Sequence, residues 1–131
     1  MIKHITTVET ILYVNDQATS ARFYQQLFRQ APSLNVPGMT EFIVGDNCKI
    51  GIMPNKSIAA ILTDKTQHPD KGNGIPRCEL YLHIEDIQRE YDNALASGAT
   101  LISPILDRDW GDTVCYFSDP DGHIIAFARR Y

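Results

Sequence analysis

The sequence predicts an α+β fold in which one small unit, a strand followed by a helix and three further strands, occurs twice. Two acid-headed segments, Glu9 to Asp16 and Glu79 to Asp86, alternate in polarity and lie 70 positions apart (9 to 79 and 16 to 86). Each runs into a stretch with helical periodicity. One such unit cannot bury its apolar face alone, so the two copies are expected to pack into one body.

The acid-headed segments are predicted to be strands because apolar and polar residues alternate along them. One face of each is apolar, with Leu12 and Val14 in the first copy and Leu80 and Leu82 in the second. The following helices should cover these faces. The opposite faces carry acids, phenols and an imidazole, and they form the candidate site: Glu9, Tyr13, Glu79, Tyr81 and His83.

Both predicted helices begin after an aspartate, Asp16 or Asp86, which is a residue type favoured at the N-cap. Their apolar residues recur at helical spacing, and Gly98 is placed to end the second helix. The predicted inward stripes are Ala21, Tyr24, Leu27 and Phe28 in the first helix and Ile87, Tyr91, Ala94 and Leu95 in the second.

Three strand-like runs follow each helix, and turn-forming residues separate the last two runs of each half. The turns are Gly45-Asp46-Asn47 and Asp119-Pro120-Asp121-Gly122. The runs are 34–35, 40–44 and 49–53 in the first half and 100–102, 113–117 and 124–128 in the second. Residues 54–76 between the halves are polar and rich in turn formers, with a short helix predicted over 57–62, capped by Ser57.

Composition excludes several classes of function. The chain has 131 residues, 44% hydrophobic, and a net charge of −4 without a Lys/Arg cluster, so no nucleic-acid partner is expected. No run of about 18 apolar residues and no signal peptide is recognisable, which favours a cytoplasmic protein that does not enter a membrane. The three cysteines never form a CxxC pair, so neither disulfides nor a thiolate zinc site is expected.

The chain resembles the vicinal oxygen chelate superfamily, which groups glyoxalase I, extradiol dioxygenases, fosfomycin-resistance enzymes and bleomycin-resistance proteins. The resemblance covers nearly the whole chain, although Phe28 replaces the glycine that the family usually has there. It rests on the following segments: Leu12-Tyr13-Val14-Asn15-Asp16, Phe23-Tyr24, Leu27-Phe28, Ile84-Glu85-Asp86, Ala96-Ser97-Gly98-Ala99, Trp110-Gly111 and Asp119-Pro120-Asp121-Gly122.

The resemblance implies a single domain of two βαβββ modules that form a cup-shaped, barrel-like, eight-stranded mixed sheet. Module one covers about 5–54, a linker about 55–76, and module two about 77–131. Active sites of the family lie inside the cup, and its members commonly form homodimers.

The resemblance also implies where catalytic members would bind a metal ion, at Glu9, Gly51, Glu79 and Ala126. Because Gly51 and Ala126 provide no side-chain ligand, the favoured interpretation has no metal and no catalytic residue. His83 lies four residues after Glu79 on one strand, roughly 13 Å away, which is too far for one shared ion without help from another strand.

Three functions remain open. The favoured one is a metal-independent binding protein of the bleomycin-resistance type that sequesters a cationic or aromatic small molecule between Glu9, Tyr13, Glu79, Tyr81, His83 and Trp110. The alternative is a lyase, isomerase or dioxygenase in which Glu9 and Glu79 hold a divalent metal ion together with substrate oxygens. The third is a regulatory module that has kept the fold without the chemistry.

Overall fold

The computed structural model describes all residues from Met1 to Tyr131, and it divides into two compact units. Unit 1 is Met1–Lys71 and unit 2 is Gly72–Tyr131. None of the helices is both long enough and apolar enough to cross a membrane.

Unit 1 contains a four-stranded mixed sheet and two helices. Its strand order is β1-β4-β3-β2, with β1 parallel to β4 and the other neighbours antiparallel. Two 3₁₀ turns, Thr63–Lys65 and Pro69–Gly72, follow its helices, and the second turn ends at the first residue of unit 2. The elements are β1 (Val8–Val14), α1 (Gln17–Phe28), β2 (Leu34–Val36), β3 (Met39–Gly45), β4 (Cys48–Pro54) and α2 (Asn55–Leu62).

Unit 2 repeats this topology, with strand order β5-β8-β7-β6 and one parallel pair, β5 with β8. Its elements are β5 (Glu79–His83), α3 (Ile87–Ala96), β6 (Thr100–Asp107), β7 (Asp112–Ser118) and β8 (Ile124–Arg130). The predicted α+β class and the strand, helix, three-strand pattern of each half are therefore confirmed. The prediction that the two halves make one domain stays a prediction.

Side-chain caps start α1 and α3 where the sequence predicts them. The Asp16 carboxylate accepts a hydrogen bond from the backbone N–H of Thr19 at 3.0 Å, and Asp86 accepts one from Arg89 at 3.1 Å. Each bond satisfies one of the N–H groups that have no partner in the first helical turn. The Asp16 carboxylate accepts a second hydrogen bond, from the Thr19 hydroxyl at 2.5 Å. Each aspartate therefore fixes the start of the helix that covers one face of the sheet in its own unit.

One face of each sheet packs against its helix, and the opposite face is left open. Leu12 and Val14 of β1 are buried on the helix side, as are Ile125 and Phe127 of β8. Each large apolar side chain that becomes fully buried contributes about 1.5–3 kcal/mol. In α1 the predicted inward residues Ala21, Tyr24 and Leu27 are buried, together with Ser20 and Phe23.

The predicted stripe of α3 is wrong at one position. Ile87 and Ala94 are buried, but Leu95 is 46% exposed. Successive helical residues are separated by about 100° around the axis, so the residue after a fully buried Ala94 turns away from the sheet. Gly98, with φ of 93°, follows the end of α3 as predicted.

Among the boundaries that differ from the prediction, two have a structural explanation. Helix α2 starts at Asn55 after Pro54, and it has no side-chain cap, so Ser57 is not the cap residue. Strand β6 extends beyond the predicted 100–102 to Asp107 and includes Pro104. Because β6 is an edge strand with irregular pairing to β7, the missing N–H of a proline is tolerated there.

Candidate ligand-binding site

An aromatic layer covers the open face of the sheet in unit 2. Ala126 of β8 pairs in register with Tyr81 of β5 on one side and with Tyr116 of β7 on the other. Val114, Ala126 and Ala128 are completely buried, and the two tyrosines pack against them. Residues with small side chains thus form the floor, and two phenol rings lie above it. We call this pair of rings, Tyr81 and Tyr116, the aromatic layer.

Hydrogen bonds fix the orientation of the single tryptophan at the edge of this layer. The indole N–H of Trp110 donates to the Tyr81 hydroxyl at 2.9 Å, and that hydroxyl donates to the Asp112 carboxylate at 2.7 Å. Arg130 lies 3.4 Å from the other oxygen of Asp112. Burial raises the pKa of Tyr81; the bond from Trp110 opposes this shift, and the bond to Asp112 adds to it. The Trp110 side chain nevertheless remains 49% exposed.

A guanidinium group lies over the second tyrosine of the layer. The Cζ atom of Arg108 is 5.3 Å from the ring centre of Tyr116, within the range of a cation–π contact. Its Nη2 donates to the Ser103 hydroxyl at 3.0 Å and to the Val114 carbonyl at 3.1 Å. Burial raises the pKa of Tyr116, the charge of Glu79 adds to this rise, and Arg108 opposes it. The Arg108 Nε–H is buried and has no hydrogen-bond partner.

The two ends of β5 place an acid and an imidazole on the same open face. Glu79 and His83 are both exposed, and the His83 ring centre lies 5.3 Å from that of Tyr81 in an edge-to-face arrangement. The structure therefore brings Tyr81, His83 and Trp110 into one cluster. Glu79 stands on the same face, close enough for its charge to act on Tyr116. These are four of the six residues predicted to contact a ligand.

The other two predicted residues, Glu9 and Tyr13, lie on the open face of unit 1. Lys49 pairs with Glu9 in the sheet, and its Nζ lies 3.9 Å from a carboxylate oxygen of Glu41. The Glu9 Oε2 atom is buried without a hydrogen-bond partner. Burial raises the pKa of Glu9, and the neighbouring Glu41 carboxyl adds to the rise while Lys49 opposes it. Within unit 1 the acid beside Glu9 is thus Glu41, and pairing with Glu79 stays a prediction.

The comparisons with known proteins agree with this architecture. Residues 7–129 match the family model of the glyoxalase-like domain. The chain belongs to this family. Its membership confirms the resemblance to the vicinal oxygen chelate superfamily, and it rests on nearly the full length of the chain rather than on one motif.

A similar protein sequence and solved structures of similar fold each match most of this chain. An uncharacterised protein of Mycobacterium bovis is 28% identical over 115 residues, which span 86% of this chain and 75% of the relative. A glyoxalase-related enzyme from Fulvimarina pelagi has a TM-score of 0.80 at 20% identity, over 95% of this chain and 87% of the other.

A second solved structure, a glyoxalase/bleomycin resistance protein/dioxygenase family enzyme from Burkholderia phytofirmans, gives a TM-score of 0.79 at 16% identity. It covers 94% of this chain and 97% of the other. At these identities the likeness shows the shared fold.

The positions at which the superfamily would bind a metal ion do not fit one in this glyoxalase-like chain. An added Cβ at Gly51 would lie only 2.6 Å from Glu9 Oε2, so the glutamate carboxyl occupies the space of the absent side chain. Ala126 is fully buried under the aromatic layer. Nowhere do three His, Cys, Asp or Glu side chains come together as a possible metal site. Two carboxylates without nitrogen or sulfur donors are a poor donor set for a catalytic ion.

A broad depression of about 870 Å³ lies elsewhere, in unit 1. It is bordered by the first turns of α1 and α2 and by the turn between β2 and β3. Gln17 shapes it, because its side-chain amide donates to the Val36 carbonyl at 2.8 Å and accepts from the Gly38 N–H at 2.9 Å. No predicted site residue lines it. Its surface lacks aromatic side chains, so the open face of unit 2 is the better candidate for binding an organic molecule.

Sequence reasoning missed Arg108, Asp112 and Tyr116. The alternation of side chains along β7 could have indicated two of them. Asp112, Val114 and Tyr116 share one face of the strand, and they pair with the same face of β8. Arg108 gave no such signal, because it follows the last residue of β6, a strand whose register with β7 is irregular.

Proposed function

We propose that this glyoxalase-like protein binds and sequesters a small aromatic or cationic molecule on the aromatic layer of unit 2, without a metal ion and without turnover. The observation that carries the proposal is the arrangement of Trp110, which is half exposed although its N–H is bonded to Tyr81. An exposed indole whose orientation is fixed presents a rigid apolar surface, which is typical of ligand recognition.

The groups around Trp110 are suited to holding a flat molecule. The hydrogen bond from Tyr81 to the Asp112 carboxylate orders the phenol before any ligand arrives, so less conformational entropy is lost on binding. Glu79 and His83, on the same face, provide polar contacts. On unit 1, Glu9 and Tyr13 offer a similar combination of acid and phenol, and we propose that they contribute to the same function.

The donor set supports a function without a metal. The superfamily positions Gly51 and Ala126 provide no ligand, and the Glu9 carboxyl fills the space above Gly51. The names of structural neighbours include both enzymes and bleomycin resistance proteins, which makes a binding function without catalysis compatible with this fold.

Intrinsic fluorescence tests the proposal directly, because Trp110 is the single tryptophan of the chain. The full-length protein is titrated with a panel of planar aromatic cations and neutral aromatics, with and without EDTA. We expect saturable changes in Trp110 emission with the same Kd in both buffers, and a higher melting temperature at saturation. Binding that disappears in EDTA and returns with Mg²⁺ or Mn²⁺ would refute metal independence and favour the lyase, isomerase or dioxygenase.

Paired variants separate the site from general effects of charge. Glu79→Gln should weaken binding of cationic aromatics several-fold, because it removes a carboxylate at the layer. Glu85→Gln removes a charge that is also exposed but lies outside the sheet, and it should leave the Kd unchanged. Tyr81→Phe removes both hydrogen bonds of the phenol and should lower the affinity for every member of the panel. Equal Kd values for Tyr81→Phe and the parent protein would contradict the proposed site.

We also propose that the protein forms a homodimer through the neighbouring strands β2 and β3 of unit 1, which leaves Glu9 and Tyr13 of β1 to the ligand. Three large apolar side chains on one face of these two strands are exposed, and apolar clusters of this kind are uncommon on monomers: Leu34, Val36 and Ile43. Light scattering behind a sizing column should give twice the chain mass, and Ile43→Glu should shift it to the monomer. A monomeric parent protein at micromolar concentration would contradict this assembly.

A further inference from the structure

We infer that Arg108 and Tyr116 form a subsite for an anionic group, a carboxylate, on the ligand whose ring lies against the aromatic layer. This inference rests on the proposed function, and it names the chemistry of one end of the ligand. Neither residue was among the predicted contacts.

Arg108 is a partly buried cation without a counter-ion. Its Nη2 is bonded only to neutral oxygens, those of the Ser103 hydroxyl and the Pro104 and Val114 carbonyls. The Asp112 carboxylate interacts with Arg130. Taking a guanidinium partly out of water without a negative partner is unfavourable, so a residue held in this state is a candidate for pairing with an external anion.

The guanidinium is also ordered before a ligand binds. Three acceptors hold Nη2, and the Tyr116 ring lies against the group at 5.3 Å. The structure gives no partner to Nη1, nor to the Tyr116 hydroxyl, and the buried Nε–H is unsatisfied. Nη1 and the hydroxyl are therefore two hydrogen-bond donors on neighbouring groups, and a carboxylate has two oxygens with which to accept from both.

The charges around the phenol favour this polarity. A raised pKa keeps Tyr116 protonated at neutral pH, so its hydroxyl is a donor to an anion. A cationic group placed at the same point would meet the positive charge of Arg108. Glu79 is the acid that would repel an anion here, and it is exposed, so solvent and salt reduce its effect.

Three probes that share one ring system test the inference: 2-naphthoate, 2-naphthamide and 2-naphthylmethylammonium. Binding to the full-length ¹⁵N-labelled protein is followed by NMR through two signals, the Trp110 indole N–H and the Arg108 Nε–H. We expect all three probes to shift the indole signal, naphthoate alone to shift the Arg108 signal strongly, and naphthoate to bind about tenfold or more tightly than naphthamide.

Variants localise the effect. Tyr116→Phe keeps the ring and removes the hydroxyl. It should raise the Kd of naphthoate about five- to tenfold and that of naphthamide by less, because a hydrogen bond to a charged oxygen is the stronger one. Arg108→Gln should abolish the preference for naphthoate over naphthamide. The matched control is Arg129→Gln. Arg129 is an exposed arginine of β8 that pairs in the sheet with Thr113, so its replacement should keep the preference for naphthoate over naphthamide. Because Arg108→Gln removes three structural hydrogen bonds, Tyr116→Phe serves as the second, milder variant.

The outcomes distinguish the two proposals. If naphthamide or the ammonium probe binds as tightly as naphthoate while the indole signal still shifts, the anion subsite is refuted and the proposed function stands. If none of the probes shifts the indole signal, both are refuted. If naphthoate is preferred equally by the parent protein and by both variants, the anion binds elsewhere and the assignment to Arg108 and Tyr116 is wrong.

Discussion

Replacing Gly122 with alanine should destabilise the protein substantially, because two unfavourable effects meet at this residue. Gly122 has φ of 89°, and an added Cβ would lie 2.8 Å from the backbone Cα of Gly74. The two segments are joined there by a hydrogen bond of 3.2 Å from the Gly74 N–H to the Asp121 carbonyl. A left-handed backbone costs an alanine about 1–2 kcal/mol, and overpacking costs about 1–3 kcal/mol. The expected loss is therefore about 2–5 kcal/mol.

Gly98 provides a matched control for this substitution. Its φ of 93° is nearly the same, but an added Cβ would have no atom within 4 Å. Gly98→Ala should therefore show the backbone cost alone, about 1–2 kcal/mol. Urea unfolding measures the loss of unfolding free energy in each variant, and we expect the m-value of both variants to equal that of the parent protein. Losses that agree within about 0.5 kcal/mol would show that the contact with Gly74 is not formed, and would refute the reasoning.

Two further predictions concern a carboxyl and the thiols. Because the folded pKa of Glu9 is raised above its ordinary 4.5, its contribution to stability is full below that pH and is lost as pH rises through the folded pKa. Glu9→Gln should thus stabilise the protein at neutral pH but not at acidic pH. An equal difference in urea midpoint between the variant and the parent protein at both pH values would contradict this. Burial raises the pKa of Cys115 to about 11, so a thiol reagent should modify only the exposed Cys48 and Cys78 in the native state, and all three in urea. Rapid native labelling of Cys115 would show that β7 opens.

The repeated strand, helix and three-strand pattern could be predicted because its signals are local. Asp16 and Asp86 act as caps through bonds to residues three positions later, and alternation along β1 and β5 assigns each side chain to a face. Such signals need no knowledge of distant parts of the chain. The boundaries of β6 were not predictable in this way, since a proline is tolerated only because that strand is at the edge of its sheet.

The candidate site was predictable only in part, for a related reason. Tyr81, His83 and Trp110 could be proposed because aromatic residues and histidine next to predicted strands are conspicuous in a sequence. That Glu41 stands beside Glu9 depends on the pairing of β4 with β1 and with β3. Arg108, which lies over Tyr116, follows directly after β6, an edge strand whose register with β7 shifts twice. Register is set by contacts between distant segments, and a single sequence contains little information about it.

The hydroxyl of Tyr81 already donates its proton to Asp112 and accepts one from Trp110. It has no proton left to offer an incoming molecule, so this residue selects compounds by their outline and polarisability rather than by their pattern of acceptors. Chemically diverse compounds of similar flatness should then be tolerated, and a panel of unrelated scaffolds is a better starting point for screening than close analogues of one hit.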